Sequence, residues 1–181
     1  LWINLVTDVF PAIALGMEKA EPGAMKQAPR TSKDSFLSFG VLPSIAYQGV
    51  FEGLLTLGVF YVGEFVLQVE HQTAETMAFI TLGFIQLFHS YNVKSIFGSL
   101  FSSNPFDNKY LNGAFILSGA LLLGVILTPG INTYFSVTVP GPVEWAISIS
   151  VAFSIVIIVE IVKAIFRATG LADKYQKKIA E

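Results

Sequence analysis

Long apolar runs, separated by polar or Pro/Gly-marked breaks, govern what this chain can fold into. A helix that crosses hydrocarbon needs about 20 predominantly apolar residues. Four windows meet that length, over 42–67, 74–97, 111–128 and 143–166, and a partial fifth covers 1–16. Lipid offers no hydrogen bonds to exposed backbone, so runs of this kind cross it as helices. The expected fold is an all-α membrane protein, a bundle of about five transmembrane helices. Composition agrees, since only 13% of the 181 residues are charged and 53% are hydrophobic, where a soluble domain carries roughly 25% charged residues. There is no cysteine, which removes disulfides, thiolate zinc sites and cysteine nucleophiles. No basic helix interleaved with aromatics occurs, so the expected surroundings are a lipid bilayer and no nucleic acid.

The breaks carry the charge. Lys19, Lys26, Arg30 and Lys33 lie in the first, and Lys94 and Lys109 in or beside the third; Lys163, Arg167, Lys174, Lys177 and Lys178 close the chain. These are all eleven Lys and Arg residues. The second break, 68–73, has none, and neither does the fourth, "PGINTYFSVTVPGP", whose Pro-Gly steps are turn chemistry. Positive charge in alternate breaks follows the positive-inside rule. It predicts a cytoplasmic first loop, third loop and C-terminus, with the first helix running inward. The expected division is a partial helix at 1–16, a cytoplasmic loop at 17–38, a four-helix membrane unit at 39–166 and a cytoplasmic tail at 167–181.

Within the first window stands "NLVTDVFPAIALG". A carboxylate deep in the bilayer costs about 2.5–3.5 kcal/mol on insertion scales, so it faces a cavity, a partner or an ion. Asp8 follows Asn4 by one helical turn and shares its face, with Thr7 beside them. Pro11 has no N–H to give the Thr7 carbonyl and breaks the ladder there. Amide, hydroxyl, carboxylate and loosened backbone oxygens make a hard-oxygen site, the chemistry that binds cations such as Ca²⁺. Broken helices near the midplane are how transporters build such sites. The competing reading is a buried Asp8 bonded to another helix, with Pro11 merely kinking the segment. Three side chains do not complete a Ca²⁺ shell, so further ligands come from elsewhere.

The same stretch, "LWINLVTDVFPAIALG", resembles the sixth transmembrane helix of P-type ATPases of the calcium-pump type, L-W-x-N-L-V-T-D-x-x-P-A-x-A-L-G. "EPGAMKQAPR" resembles the following cytoplasmic loop, "TMAFITLGFIQLFHSYNVKS" the eighth helix and "EIVKAIFR" the end of the tenth. The resemblance implies helices six to ten of a ten-helix pump, with Asn4, Thr7 and Asp8 coordinating the transported cation. It favours Ca²⁺, with Mn²⁺ as an alternative because such oxygen sites overlap in preference. Gln86 matches the eighth-helix position where two-site calcium pumps carry a Glu ligand. As a neutral amide it implies one Ca²⁺ per cycle; the competing reading is an interhelical hydrogen bond of about 1 kcal/mol. His89 and Asn92 follow on the same face and read as polar packing.

In the second window, Gly49-x-x-x-Gly53 permits close helix approach, and the resemblance implies a fifth helix, absent from this sequence, as its neighbour. A second copy of the chain is the alternative. Glu52 between these glycines reads as a paired residue, Glu64 as an interface residue, and Glu160 as the ion-pair partner of Lys163 one turn on.

The family's D-K-T-G-T phosphorylation motif, T-G-E loop, G-D-G-x-N-D hinge and broken fourth helix are missing from the sequence. No catalytic residue is therefore expected here, and ATP and Mg²⁺ would act only through other domains of the same pump. Leu1 begins inside a helical pattern, which carries the expectation of a segment of a larger protein that is inactive by itself. The short outer loops suit a bacterial plasma membrane. Against the pump stands a stand-alone small helical membrane protein, an accessory or channel-like bundle in which Asp8 serves packing. A secondary transporter would show an internal repeat, and none is found.

Overall fold

The computed structural model describes residues 2–19, 41–102 and 104–172, and among them every regular element is helical. Most of the expected loop at 17–38 and most of the expected tail at 167–181 lie outside the described residues. The chain opens with a π-helical turn, Ile3–Thr7, and continues as helix α1, Val9–Leu15. Helix α2, Val41–Tyr61, runs into a second π-helical turn, Val62–Val66, and reverses at Gln68, which takes a positive φ of 53°. Helix α3 covers His71–Asn92. After a 3₁₀ turn at Leu100–Ser102, helix α4 spans Lys109–Leu127. A turn at Gly130 (φ 87°) leads into the short α5, Ile131–Tyr134, and Pro142 opens α6, Pro142–Ala168. Proline suits that first helical position, where its missing N–H would have had no partner.

Three stretches are long and apolar enough to cross a membrane: Val41–Val66, Lys109–Leu127 and Pro142–Ala168. Helix α3 has 22 residues, about 33 Å at 1.5 Å per residue, but is the least apolar of the long helices. It is also the most buried. It packs against α2, α4 and α6, and its first half closes a core of Ile80, Leu122, Val125 and Ile126, its second half one of Ile85, Ala152, Ile155 and Val159. Three of its buried hydroxyls are satisfied on their own helix: Thr76 and Thr81 each donate to the carbonyl four residues back at 2.8 Å, and Ser90 donates to Leu87 O at 2.6 Å. A central helix can therefore hold polar residues at small cost.

Glycine sets two of the contacts of α3. A Cβ on Gly63 would stand 3.0 Å from Met77 Sδ and 3.2 Å from Ala74 Cβ, so the end of α2 lies backbone-close on the start of α3. One on Gly83 would meet Leu122 Cδ2 at 2.6 Å, which draws α4 in.

The apolar window expected to run to 97 ends as helix at Asn92. The Asn92 carbonyl there accepts from the Lys163 ammonium of α6 at 2.6 Å, and the Gly98 carbonyl accepts from it at 3.2 Å. A buried cation that gathers carbonyls caps the helix and turns the following residues across its end.

Candidate cation site

The π-helical turn sets the geometry around Asp8. The Asp8 amide donates to Ile3 O, five residues back, at 3.1 Å, and the Thr7 hydroxyl donates to the same oxygen at 2.6 Å. Four residues on from Thr7, Pro11 has no N–H, and Ala12 donates instead to Asp8 O at 3.0 Å. The ladder thus passes over the Thr7 carbonyl, as π-bulges at functional sites do. Thr7 is fully buried, and with its proton given to Ile3 its oxygen keeps lone pairs for a cation. Asp8 is half-buried, and its Oδ1 is shielded from solvent with no hydrogen-bond partner. Pro11 is buried and Asn4 is exposed. Thr7 and Asp8 therefore turn inward together, while Asn4 sits on the open side of the segment.

The segment is pinned at both ends. Trp2 stacks edge-on against Phe135, with ring centroids 5.2 Å apart, and Ser118 of α4 donates to Val6 O at 3.4 Å. At the other end Asn108, the N-cap of α4, accepts from Leu111 N while its amide donates to Ala14 O at 3.1 Å and Glu18 Oε2 at 2.8 Å. Lys94 ties Glu18 (3.5 Å) to Asp107 (2.6 Å) beside it. The Lys94 hydrogen bond holds the Asp107 carboxyl below the usual carboxylate range.

A second polar group lies between α2 and α3. Gln86 Nε2 donates to Glu52 Oε2 at 3.5 Å; His89 Nε2 is 3.2 Å from Gln48 Oε1 and 3.8 Å from Glu52 Oε1. His89 Nδ1 is buried without a partner. Gln48 and Glu52 are one turn apart on α2, and Gln86 and His89 nearly so on α3, so the two stripes meet.

In the sequence His89 and Asn92 share the face of Gln86 and are expected as polar packing, with nothing to connect Gln48 to either. A four-residue polar step on one apolar helix, and a three-residue step on the next, was the signal available for this pairing. Asn92 meets α6 rather than this group, donating to Ile155 O at 3.5 Å. Glu64 sits in the π-helical turn that ends α2, 3.0 Å from His71. Glu160 accepts from Ser99 Oγ and Leu100 N at 2.7 and 2.9 Å, with Lys163 at 3.9 Å.

Gly49 and Gly53 lie on the exposed face of α2, with open space where a Cβ would point. Val50, Leu54 and Leu57 share that exposure. None of the described helices covers these glycines.

Among the described residues no three His, Asp or Glu side chains converge as a metal cluster. A cation held at Asp8 would instead rely on hydroxyl, amide and backbone oxygens, which is hard-cation chemistry.

Known proteins carry a similar segment. Residues 1–165 match the family model described as the C-terminus of cation-transporting ATPases. Calcium-transporting ATPase 1 of Bacillus cereus is 34% identical over 178 residues, covering 90% of this chain and 20% of that protein. A calcium-transporting ATPase of Listeria monocytogenes is 35% identical over 166 residues, covering 91% and 18%. One from Bacillus subtilis is 36% identical over 152 residues, covering 84% and 17%. The chain thus spans about a fifth of the length of the relatives it matches. With the family model matched over nearly all of its length, this chain belongs to the C-terminal region of the cation-transporting P-type ATPases.

Proposed function

We propose that this chain is the C-terminal membrane part of an ATP-driven calcium pump, and that Thr7, Asp8 and Asn4 give oxygen ligands to the transported Ca²⁺. The observation that carries the reading is the shielded, unpartnered Oδ1 of Asp8 beside a ladder that passes over the Thr7 carbonyl. A buried carboxylate oxygen without a partner costs stability. A cargo cation that visits during the cycle explains why it is kept. Asn4, on the open side of the segment, meets the ion together with ligands from helices outside this sequence.

Gln86, as an amide, leaves the site with little negative charge and suits one Ca²⁺ per cycle. ATP hydrolysis and its Mg²⁺ belong to cytoplasmic domains outside this sequence, and this segment alone hydrolyses no ATP. The bare face of α2 at Gly49 and Gly53 receives a further helix of the same pump. The names of the bacterial relatives favour Ca²⁺ over Mn²⁺ and a bacterial plasma membrane, with residues 17–38 and 167–181 on the cytoplasmic side.

The test is ATP-driven ⁴⁵Ca²⁺ uptake by the full-length pump in vesicles, wild type against Asp8→Asn. The variant keeps the shape and removes one charge from the shell. Uptake is expected to be lost, together with the calcium requirement for phosphorylation from ATP. Unchanged uptake and calcium affinity would return Asp8 to a packing role.

A further inference from the structure

Helices α4 and α6 each pack on α3, but they are not a packed pair with each other. The same holds for α1 and α2. The helices around α3 therefore run α1, α4, α6, α2, in a ring with two openings. The uncovered positions Asn4, Gly49 and Gly53 belong to the first segment and to α2, which flank the opening between α1 and α2. Further helices of the full-length protein have surface to meet there. The opening between α4 and α6 lies across α3 from that side.

This second opening is a cavity of about 520 Å³, within the range of roughly 300–1,000 Å³ that ligand sites occupy. Phe88 and Tyr91 of α3 floor it, Ile116 of α4 and Phe153 of α6 wall it, and Phe101 and Phe106 line it from the α3–α4 connection. Ile116 and Phe101 are each 71% exposed and Phe106 64%. Such exposure is costly in water and costs nothing against lipid tails, which are as apolar as these side chains. The lining offers little to a polar ligand. Tyr91 donates its hydroxyl to Asn112 Oδ1 at 3.0 Å, and Asn112 Nδ2 donates to Phe106 O at 2.8 Å.

Depth in the membrane follows from length. Helix α4 has 19 residues, about 28 Å of helix, against a hydrocarbon core of about 30 Å. Its first residue, Lys109, therefore stands at one membrane face, beside the exposed Tyr110, a residue type suited to the interface. Lys109 precedes Ile116 by two helical turns and shares its face of α4. It is exposed and forms no ion pair among the described residues. A cation at headgroup depth, two turns above an apolar cavity, matches the two ends of a phospholipid.

We propose that the cleft between α4 and α6 is a phospholipid site: one acyl chain fills the cavity against Phe88 and Tyr91, and the phosphate pairs with Lys109. The acyl chain replaces the contact that α4 and α6 do not make with each other, so the bound lipid is a packing element of the bundle. The site stands whether or not Asp8 binds a cation.

The experiment uses the full-length protein in detergent, titrated with a phosphatidylglycerol that carries a photoactivatable diazirine on one acyl chain. Labelled peptides are identified by mass spectrometry in wild type and in Lys109→Gln. Labelling around Ile116 and Phe153 is expected to saturate and to be displaced by unlabelled phosphatidylglycerol. Labelling at Ile161 and Ile165, exposed on α6 outside the cavity, is expected to rise in proportion to the lipid added. Lys109→Gln is expected to raise the half-saturating concentration about fivefold, the attraction of one surface cation for an anionic headgroup.

Cleft labelling that rises without saturating, as at Ile161 and Ile165, means bulk lipid only and overturns the site. A cleft that stays unlabelled while Ile161 and Ile165 react is covered by protein in the full-length chain, which overturns it equally. Saturable labelling with a wild-type midpoint in Lys109→Gln overturns the pairing of the phosphate with Lys109.

Discussion

Two charged side chains sit inside this apolar bundle under opposite conditions. Lys163 on α6 is 1% exposed, yet its ammonium reaches two carbonyls and the Glu160 carboxylate, which itself holds Ser99 and the Leu100 amide. Asp8 is less buried, but one of its oxygens is shielded and has nothing to bond. A buried charge with partners is an architectural device; removing one partner strands the others. A shielded carboxylate oxygen with none is a standing cost that packing does not explain. Between these two charges it is pairing, and not depth of burial, that separates the one that holds the bundle from the one proposed to act.

The contrast can be broken by substitution, and the largest effect is expected at Asp8. Asp8→Asn in the full-length pump should abolish calcium binding while leaving the thermal stability within about 1 kcal/mol of wild type. Lys163→Met should do the reverse, costing about 3–4 kcal/mol of stability because Glu160 and two carbonyls lose their cation. The protein that remains folded should keep its calcium affinity. Thermal unfolding in detergent, run beside calcium binding, reads both.

Smaller effects sharpen the picture where the end of α1 meets the start of α4. Asn108→Ala removes the N-cap of α4 and its bonds to Ala14 and Glu18, and should cost about 2 kcal/mol. Limited proteolysis should show the cut sites near α1 opening first. The Lys94–Asp107 pair contributes least, and its sign follows from the depressed carboxyl. Its contribution is present above the ordinary value of 3.8 and is lost as pH falls through the lower folded value. The difference in thermal midpoint between wild type and Asp107→Asn should therefore shrink as the pH is taken from 5 downward into that range.

Much of this was legible in the sequence because it rests on additive properties. Apolar length located α2, α4 and α6 to within a few residues, since lipid thickness imposes it. Helix α3 was legible as a long run but not as the centre of the bundle. Thr76, Thr81 and Ser90 look unfavourable until they are seen bonding their own backbone. Its C-terminus was misplaced by five residues because the cap is Lys163, seventy-one positions further on, and no local signal announces it. At the site, the type and spacing of Asn4, Thr7, Asp8 and Pro11 pointed to oxygen chemistry. The π-helical turn that turns Thr7 and Asp8 inward and leaves Asn4 outside was not legible. A one-residue change in helical register depends on which carbonyls the neighbouring helices engage, such as Val6 O by Ser118. The meeting of Gln48 and Glu52 with Gln86 and His89 depends on how α2 and α3 are set against each other, which short-range pattern does not encode.

The most direct test of the distinction between paired and unpaired charge is equilibrium ⁴⁵Ca²⁺ binding to the purified full-length pump carrying Asp8→Asn or Lys163→Met, with the folded fraction of each measured in the same sample. The account predicts no specific binding to folded Asp8→Asn and wild-type affinity in the folded fraction of Lys163→Met. Wild-type binding by Asp8→Asn, or binding lost in folded Lys163→Met, would contradict it.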